Sequence, residues 1–147
     1  MTGTFFGHRH TPPAVYPLLR QTIAQLAARG VLQFYVGHNG DFDAMALRAL
    51  REEAVQTPAL RYAVVLAYVP GPRREDVGYR PEETLLPEGQ ELALPRFAIA
   101  RRNQWMLKQA DVVVSYAAGS GGAARYAELA RQKGLWVIDL QNPFGAT

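Results

Sequence analysis

Short apolar runs that stop at glycine, each followed by a stretch with helical spacing, recur along this chain and leave it few folds to choose from. Thr4-Phe5-Phe6 is halted by Gly7. Val15, Leu18, Leu19, Ile23 and Leu26 then follow the three-to-four residue spacing of an amphipathic helix, with Gly30 just past its end. Residues 31–36 form a second run, closed by Gly37. Asp41 is placed to cap the next helix, whose buried stripe is Phe42, Met45, Ala46, Ala49 and Leu50. Residues 62–68 are apolar on both faces, as parallel strands covered on both sides tend to be. After a helix over 97–108, residues 111–115 read as a fourth strand. A helix over 124–133 stops at Gly134, and 135–140 is the fifth strand. Such alternation predicts parallel strands joined by right-handed crossovers. The expected class is α/β: a three-layer α/β/α, Rossmann-like open parallel sheet of about five strands.

One stretch breaks the pattern. Residues 70–95 hold Pro70, Pro72, Pro81, Pro87 and Pro95 without periodicity, so an irregular excursion, with room for a small hairpin, is expected after the third strand. Leu85, Leu86, Leu92 and Leu94 within it fit either a homodimer contact or a cover for the chain's own core. At 147 residues one domain is the simplest division. The absence of cysteine excludes disulfides and thiolate-ligated metal. No apolar run approaches the roughly 20 residues of a membrane span, and no signal-peptide layout opens the chain, which points to the cytoplasm. A net charge of +3 admits an anionic partner. The basic residues are spread along the chain instead of forming the stripe typical of nucleic-acid binders.

Residues able to do chemistry cluster after strands, where ligands bind in open α/β sheets. Gly7, His8 and Arg9 follow the first run; Gly37, His38, Asn39, Gly40, Asp41 and Asp43 follow the second. Gly119, Ser120, Gly121 and Gly122 follow the fourth. A strand running through glycines into a helix offers bare N–H groups and a positive helix end, suited to a phosphate. Arg9 is placed to grip a phosphate bidentately, and Asp43 to accept hydrogen bonds from a ribose or base. On the helix before the fourth strand, one of Arg101 and Arg102 reaches the pocket, whereas Trp105 and Met106 read as core. His8, His10 and His38 lack the carboxylates that usually support metal ligands, so no metal is expected, and no cofactor. No Ser/His/Asp arrangement, paired-carboxylate signature, Walker motif or strict Gly-x-Gly-x-x-Gly fingerprint is present.

In order along the chain stand Phe6-Gly7-His8-Arg9, Tyr35-Val36-Gly37 with Gly40 and Phe42-Asp43, and Val64-Val65-Leu66-Ala67-Tyr68. Thr84-Leu85-Leu86-Pro87-Glu88-Gly89, Arg96-Phe97-Ala98-Ile99, Arg102-Asn103 with Trp105-Met106, and Gly121-Gly122-Ala123 follow. Together they resemble the SLOG superfamily, which contains the Lonely Guy proteins and DNA-processing protein A, and within it a bacterial YpsA-like branch. The resemblance implies a Rossmann-like fold and a site for nucleotides or nucleotide-derived ligands. Lonely Guy enzymes release the base from cytokinin nucleotides with an arginine before the glycine loop and a glutamate after it. Arg102 matches the arginine. The Pro-Gly-Gly-x-Gly-Thr pattern is missing and the glutamate position falls near Arg125, with Glu128 about one turn further on.

The leading expectation is a binding module for a nucleotide or nucleotide-derived small molecule. Its site would comprise Gly7, His8, Arg9, Gly37, Asn39, Gly40, Asp43, Arg102, Asn103, Gly119, Ser120, Gly121 and Gly122. The alternative is a nucleoside-monophosphate phosphoribohydrolase, with Arg102 orienting the phosphosugar and Glu128 or Asp43 supplying the carboxylate. A third reading, single-stranded nucleic-acid binding, rests on Tyr79, Arg73, Arg74 and Arg80 in the excursion, a patch that reads more simply as a solvated loop.

Overall fold

In the computed structural model, which describes residues 1–69, 78–117 and 121–142, the alternation becomes one parallel sheet. Its strands are β1 (Thr2–Gly7), β2 (Gln33–Val36), β3 (Arg61–Val65), β4 (Thr84–Leu85), β5 (Val112–Tyr116) and β6 (Trp136–Asp139). The helices are α1 (Tyr16–Ala28), α2 (Asp41–Gln56), α3 (Pro95–Gln109) and α4 (Gly122–Gln132). The spatial order is β4-β3-β2-β1-β5-β6, and each neighbouring pair is parallel. The chain moves outward from β1 to β4, then returns to the other flank of β1 through α3. That reversal sets the topological switch point between β1 and β5, where crevices open in sheets of this type.

Alternation along β1 divides the core in two. Phe5 points to one layer with Phe34, Val36, Phe42, Val64 and Val114, and its ring stacks on Phe34 at 5.8 Å. Phe6 points to the other with Val65, Met106, Val113 and Tyr126, stacking on Tyr126 at 5.1 Å. Burying each such side chain contributes about 1.5–3 kcal/mol, so the central strand is held from both faces. Helices α1 and α4 stop alike. Gly30 (φ +94°) and Gly134 (φ +77°) each adopt the left-handed conformation and donate to the carbonyls of Ala27 and Arg131. Val31 and Leu135 then reach back to Leu26 and Ala130, completing a Schellman turn at each end.

Several boundaries differ from the sequence expectation for identifiable reasons. The third strand ends at Val65, not near Tyr68: the Leu66 N–H makes a last ladder bond to the Leu85 carbonyl of β4, and the Ala67 amide turns away to His38 Nε2. The excursion supplies a sixth strand, β4, which pairs parallel with β3; among the described residues it forms no hairpin. Helix α4 begins at Gly122, so the glycine segment builds its first turn. Asp41 does not cap α2. Gly40 (φ +98°) occupies the cap, and the Asp41 carboxylate accepts the Thr11 N–H at 3.2 Å instead.

The excursion is tied down by side chains. Glu83, buried, accepts a two-pronged bond from Arg51 of α2 at 2.6 and 2.8 Å, the Tyr62 hydroxyl at 2.7 Å and the Arg80 N–H at 2.8 Å. These donors, Arg51 foremost, hold its carboxyl down at about 2 against the opposing pull of burial. Gln90 Nε2 donates to the carbonyls of Ala67 and Ala98, binding the excursion to the end of β3 and the start of α3.

Candidate functional site

Close packing around Gly7 sets the geometry at the carboxyl end of β1. A methyl group there would overlap the Phe42 ring, so glycine lets the first turn of α2 lie directly against the strand end. The Asp41 N–H donates to the Arg9 carbonyl at 2.7 Å, and a side chain at Gly40 would strike the Arg9 backbone. The loops after β1 and β2 are thereby locked together. Their union leaves a cleft of about 270 Å³ at the switch point. Phe5, Phe6, Gly7 and Arg9 line it from β1 and its loop, and Asn39 and Asp43 from β2 and α2. Ile99, Arg102, Asn103 and Met106 form the α3 wall, and Gly122 and Ala123 the α4 wall.

The floor of the cleft is a charged network built on a buried guanidinium. Arg102 is 2% exposed. Its Nη1 donates to the Val65 carbonyl at 3.0 Å, Nη2 to Asn39 Oδ1 at 2.8 Å and Nε to Asn103 Oδ1 at 2.8 Å. One guanidinium therefore fixes β3, the β2 loop and α3 relative to one another, a task suited to its rigid fork of donors. Burial draws Arg102 below the ordinary guanidinium range, an effect that Asp43 opposes. Asp43 receives the Asn39 N–H on Oδ2 at 2.9 Å, and Gly37 leaves the space into which that oxygen fits. Burial pushes the Asp43 carboxyl up to about 6, against the lowering effects of the Asn39 N–H and Arg102. His38 sits behind the network, its ring edge-on to Tyr68 and Tyr79, with Nε2 accepting the Ala67 N–H. Burial, aided by the Arg102 charge, pulls this imidazole down to about 4, so it is neutral near pH 7.

Helix α4 aims its N-terminus at this floor. Gly121 caps it at φ +115°, and among the described residues no side chain bonds to its first-turn N–H groups. With exposed Arg9 at the rim, the cleft offers an anion two kinds of donor, a backbone cradle and a guanidinium.

The sequence-derived site residues divide accordingly. Gly7, Arg9, Asn39, Asp43, Arg102, Asn103 and Gly122 line the cleft. Gly37, Gly40 and Gly121 shape it without lining it. His8 bonds through its N–H to the Tyr116 carbonyl and turns its ring edge toward Tyr116, outside the lining. Gly119 and Ser120 lie outside the described residues. Glu128 is not brought to the cleft: it is exposed on α4 and pairs with Arg131 at 3.5 Å. Arg101 is exposed, leaving Arg102 as the arginine of the pair that enters. Tyr79, expected as a stacking surface, packs against His38 and the core beside exposed Arg80, while Arg73 and Arg74 fall outside the described residues. Leu85 covers the protein's own core, whereas Leu86, Leu92 and Leu94 are exposed. Among the described residues, no three His, Asp or Glu side chains gather as a metal site, and no helix is long and apolar enough to cross a membrane.

Ile99 and Met106 were missed as lining residues, yet a signal was present. Residues 99, 102, 103 and 106 are spaced i, i+3, i+4, i+7, one face of one helix. A larger groove of about 760 Å³ runs between α1 and β6, with Arg29 and Asp139 as its charged lining residues. It lies on a flank of the sheet, away from the switch point and the buried Arg102–Asp43 floor, so the smaller cleft is the stronger candidate.

The architecture has solved counterparts. DNA processing protein A from Streptococcus pneumoniae matches with a TM-score of 0.66 at 19% identity, over 92% of this chain and 48% of that one. The same protein from Helicobacter pylori, described for its single-stranded DNA binding mode, matches at 0.58 and 16% identity, over 97% of this chain and 70% of that one. The chain thus spans about half the length of the pneumococcal protein. At these identities what is shared is the fold, which agrees with the Rossmann-like architecture implied by the SLOG resemblance. No protein-family model matches the chain, and no curated protein matches it in sequence.

Proposed function

We propose that this chain binds a nucleotide at the carboxyl ends of its strands, with the phosphate between Arg9 and the N-terminus of α4. One observation carries the reading: an anion cradle and a buried, fully positioned Asp43–Asn39–Arg102 floor face the same 270 Å³ cleft. That volume lies just below the usual range of about 300–1,000 Å³ for small-molecule pockets, which favours a mononucleotide over a dinucleotide. A nucleoside monophosphate at 100 times its Kd adds about 2.7 kcal/mol of stability, or a rise in Tm of about 5–10 °C at this chain length. Exposed Arg9→Ala should weaken that shift while leaving the unliganded Tm unchanged. No shift with any nucleoside monophosphate, at concentrations up to millimolar, would sink the proposal.

Single-stranded nucleic acid is the second reading, favoured by the binding mode described for the Helicobacter pylori neighbour. Against it, the expected stacking residue Tyr79 is turned into the core. Oligonucleotides binding more tightly than the monophosphate, with affinity falling steeply as salt rises, would transfer the site to a strand. Hydrolysis would have to rely on Asp43. It is the carboxylate among the described lining residues, and no second carboxylate among them joins it to divide the acid and nucleophile roles. Binding without turnover is the reading the site supports best.

A further inference from the structure

We infer that Asp43 reads the sugar, accepting a ribose hydroxyl on Oδ1, so that the cleft prefers ribonucleotides to their deoxy counterparts. The inference rests on the nucleotide reading above and goes beyond it by naming the sugar and the atom that selects it.

The two oxygens of this carboxylate have different surroundings. Oδ2 is enclosed, held by the Asn39 N–H at 2.9 Å and packed beside Gly37. Oδ1 receives no hydrogen bond among the described residues, although Asp43 is only 9% exposed and lines the cleft. Oδ1 is not among the fully enclosed unpartnered atoms, so it keeps an opening, and the cleft that Asp43 lines is the direction from which a donor can arrive. Arg102, the nearby cation, directs three of its five N–H groups to Asn103, Val65 and Asn39 and makes no hydrogen bond to Oδ1. Oδ1 is thus an acceptor open to a hydrogen brought by the ligand.

Position identifies which ligand hydrogen that is. The anion cradle of α4 and Asp43 of α2 belong to helices that follow β5 and β2, on the two sides of central β1. A phosphate on one side of so small a cleft places the attached pentose, not the base, within reach of the other. Dinucleotide folds use the same division, with phosphate on a helix N-terminus and an acid on the ribose hydroxyls. Here the two duties fall to helices on opposite sides of the switch point. An ionised carboxylate is acceptor only, so it matches a vicinal diol and has nothing to offer a deoxy carbon.

The test is calorimetric titration of the full chain with ribonucleoside 5′-monophosphates and their 2′-deoxy and 3′-deoxy forms. Loss of a hydrogen bond to a charged group predicts about 10- to 100-fold weaker binding for at least one deoxy series. In Asp43→Asn, whose side chain keeps an oxygen for the Asn39 N–H, that ratio should shrink toward one while deoxynucleotides still bind. Ribo- and deoxynucleotides of equal affinity in the wild-type chain overturn the sugar assignment and leave nucleotide binding standing. A preference that persists undiminished in Asp43→Asn assigns it to another residue and overturns the role of Asp43. Binding of neither series overturns the nucleotide reading, and this inference with it. Because the wild-type comparison needs no variant, the inference stays falsifiable even if Asp43→Asn folds poorly.

Discussion

Half-buried His38 and buried Asp43, five residues apart in sequence, respond to acid in opposite directions. The folded-state pKa of His38 is lowered to about 4, so the stability of its neutral form is present above its ordinary 6.5 and is lost as pH falls toward 4. The folded-state pKa of Asp43 is raised to about 6, so its contribution is full below its ordinary 3.8 and is lost as pH rises through 6. Between pH 5 and 6 the two slopes nearly cancel. Glu83, held at about 2, begins to lose its contribution only below its ordinary 4.5. Asp43→Asn removes one side of the balance. Its unfolding free energy should fall by about 1 kcal/mol per pH unit from pH 6 to 5, while the wild type stays almost flat. Urea titrations at pH 5, 5.5 and 6 check this, and a flat profile in the variant would disprove the compensation. Asp43 was legible from its place after a strand. The role of His38 was not, because its partner is a backbone amide 29 residues away, contributed by the irregular end of β3.

At the scale of elements, the excursion behaves as part of the sheet because Glu83 joins it to α2 and β3. Glu83→Ala should cost about 3–5 kcal/mol, the usual loss when one partner of a buried pair is removed and the other charge is stranded. Arg51 is partly exposed, which draws the expectation to the lower end of that range. Chemical denaturation measures the change; a loss below about 1 kcal/mol would show that β4 holds its place without this anchor. The strands and helices elsewhere could be read from sequence because their signal is periodic and local. Residues 78–94 gave no such signal, because their order comes from pairings 21 and 32 residues apart. Two-residue β4 is too short for an alternation to register. The α3 stripe Ile99, Arg102, Asn103 and Met106 was periodic, but Met106 read as core, where it also packs, and Ile99 carried no polar group to mark it.

For the molecule as a whole, strand order decides where the site falls, and strand order is a non-local property. Glycine-ended strands could be found by reading along the chain. That β1 lies at the centre, with β2 and β5 on either side, follows only from packing. The same order leaves β6 at a margin, where Trp136 lies 44% exposed beside the Arg29 guanidinium, 5.5 Å from its ring centre. The other tryptophan, Trp105, is half-buried on α3, edge-on to Tyr35 at 5.0 Å and adjacent in sequence to cleft-lining Met106. The chain therefore carries two fluorophores with separate assignments. Iodide should quench Trp136 and largely spare Trp105. A nucleotide should change the emission of Trp136→Phe, which retains only Trp105, and leave Trp105→Phe unchanged. Equal responses from both variants would mean that binding is felt across the sheet and not at the switch point alone. The uncovered margin of the sheet thus supplies an internal optical reference, against which events at the strand ends can be read without attaching a label.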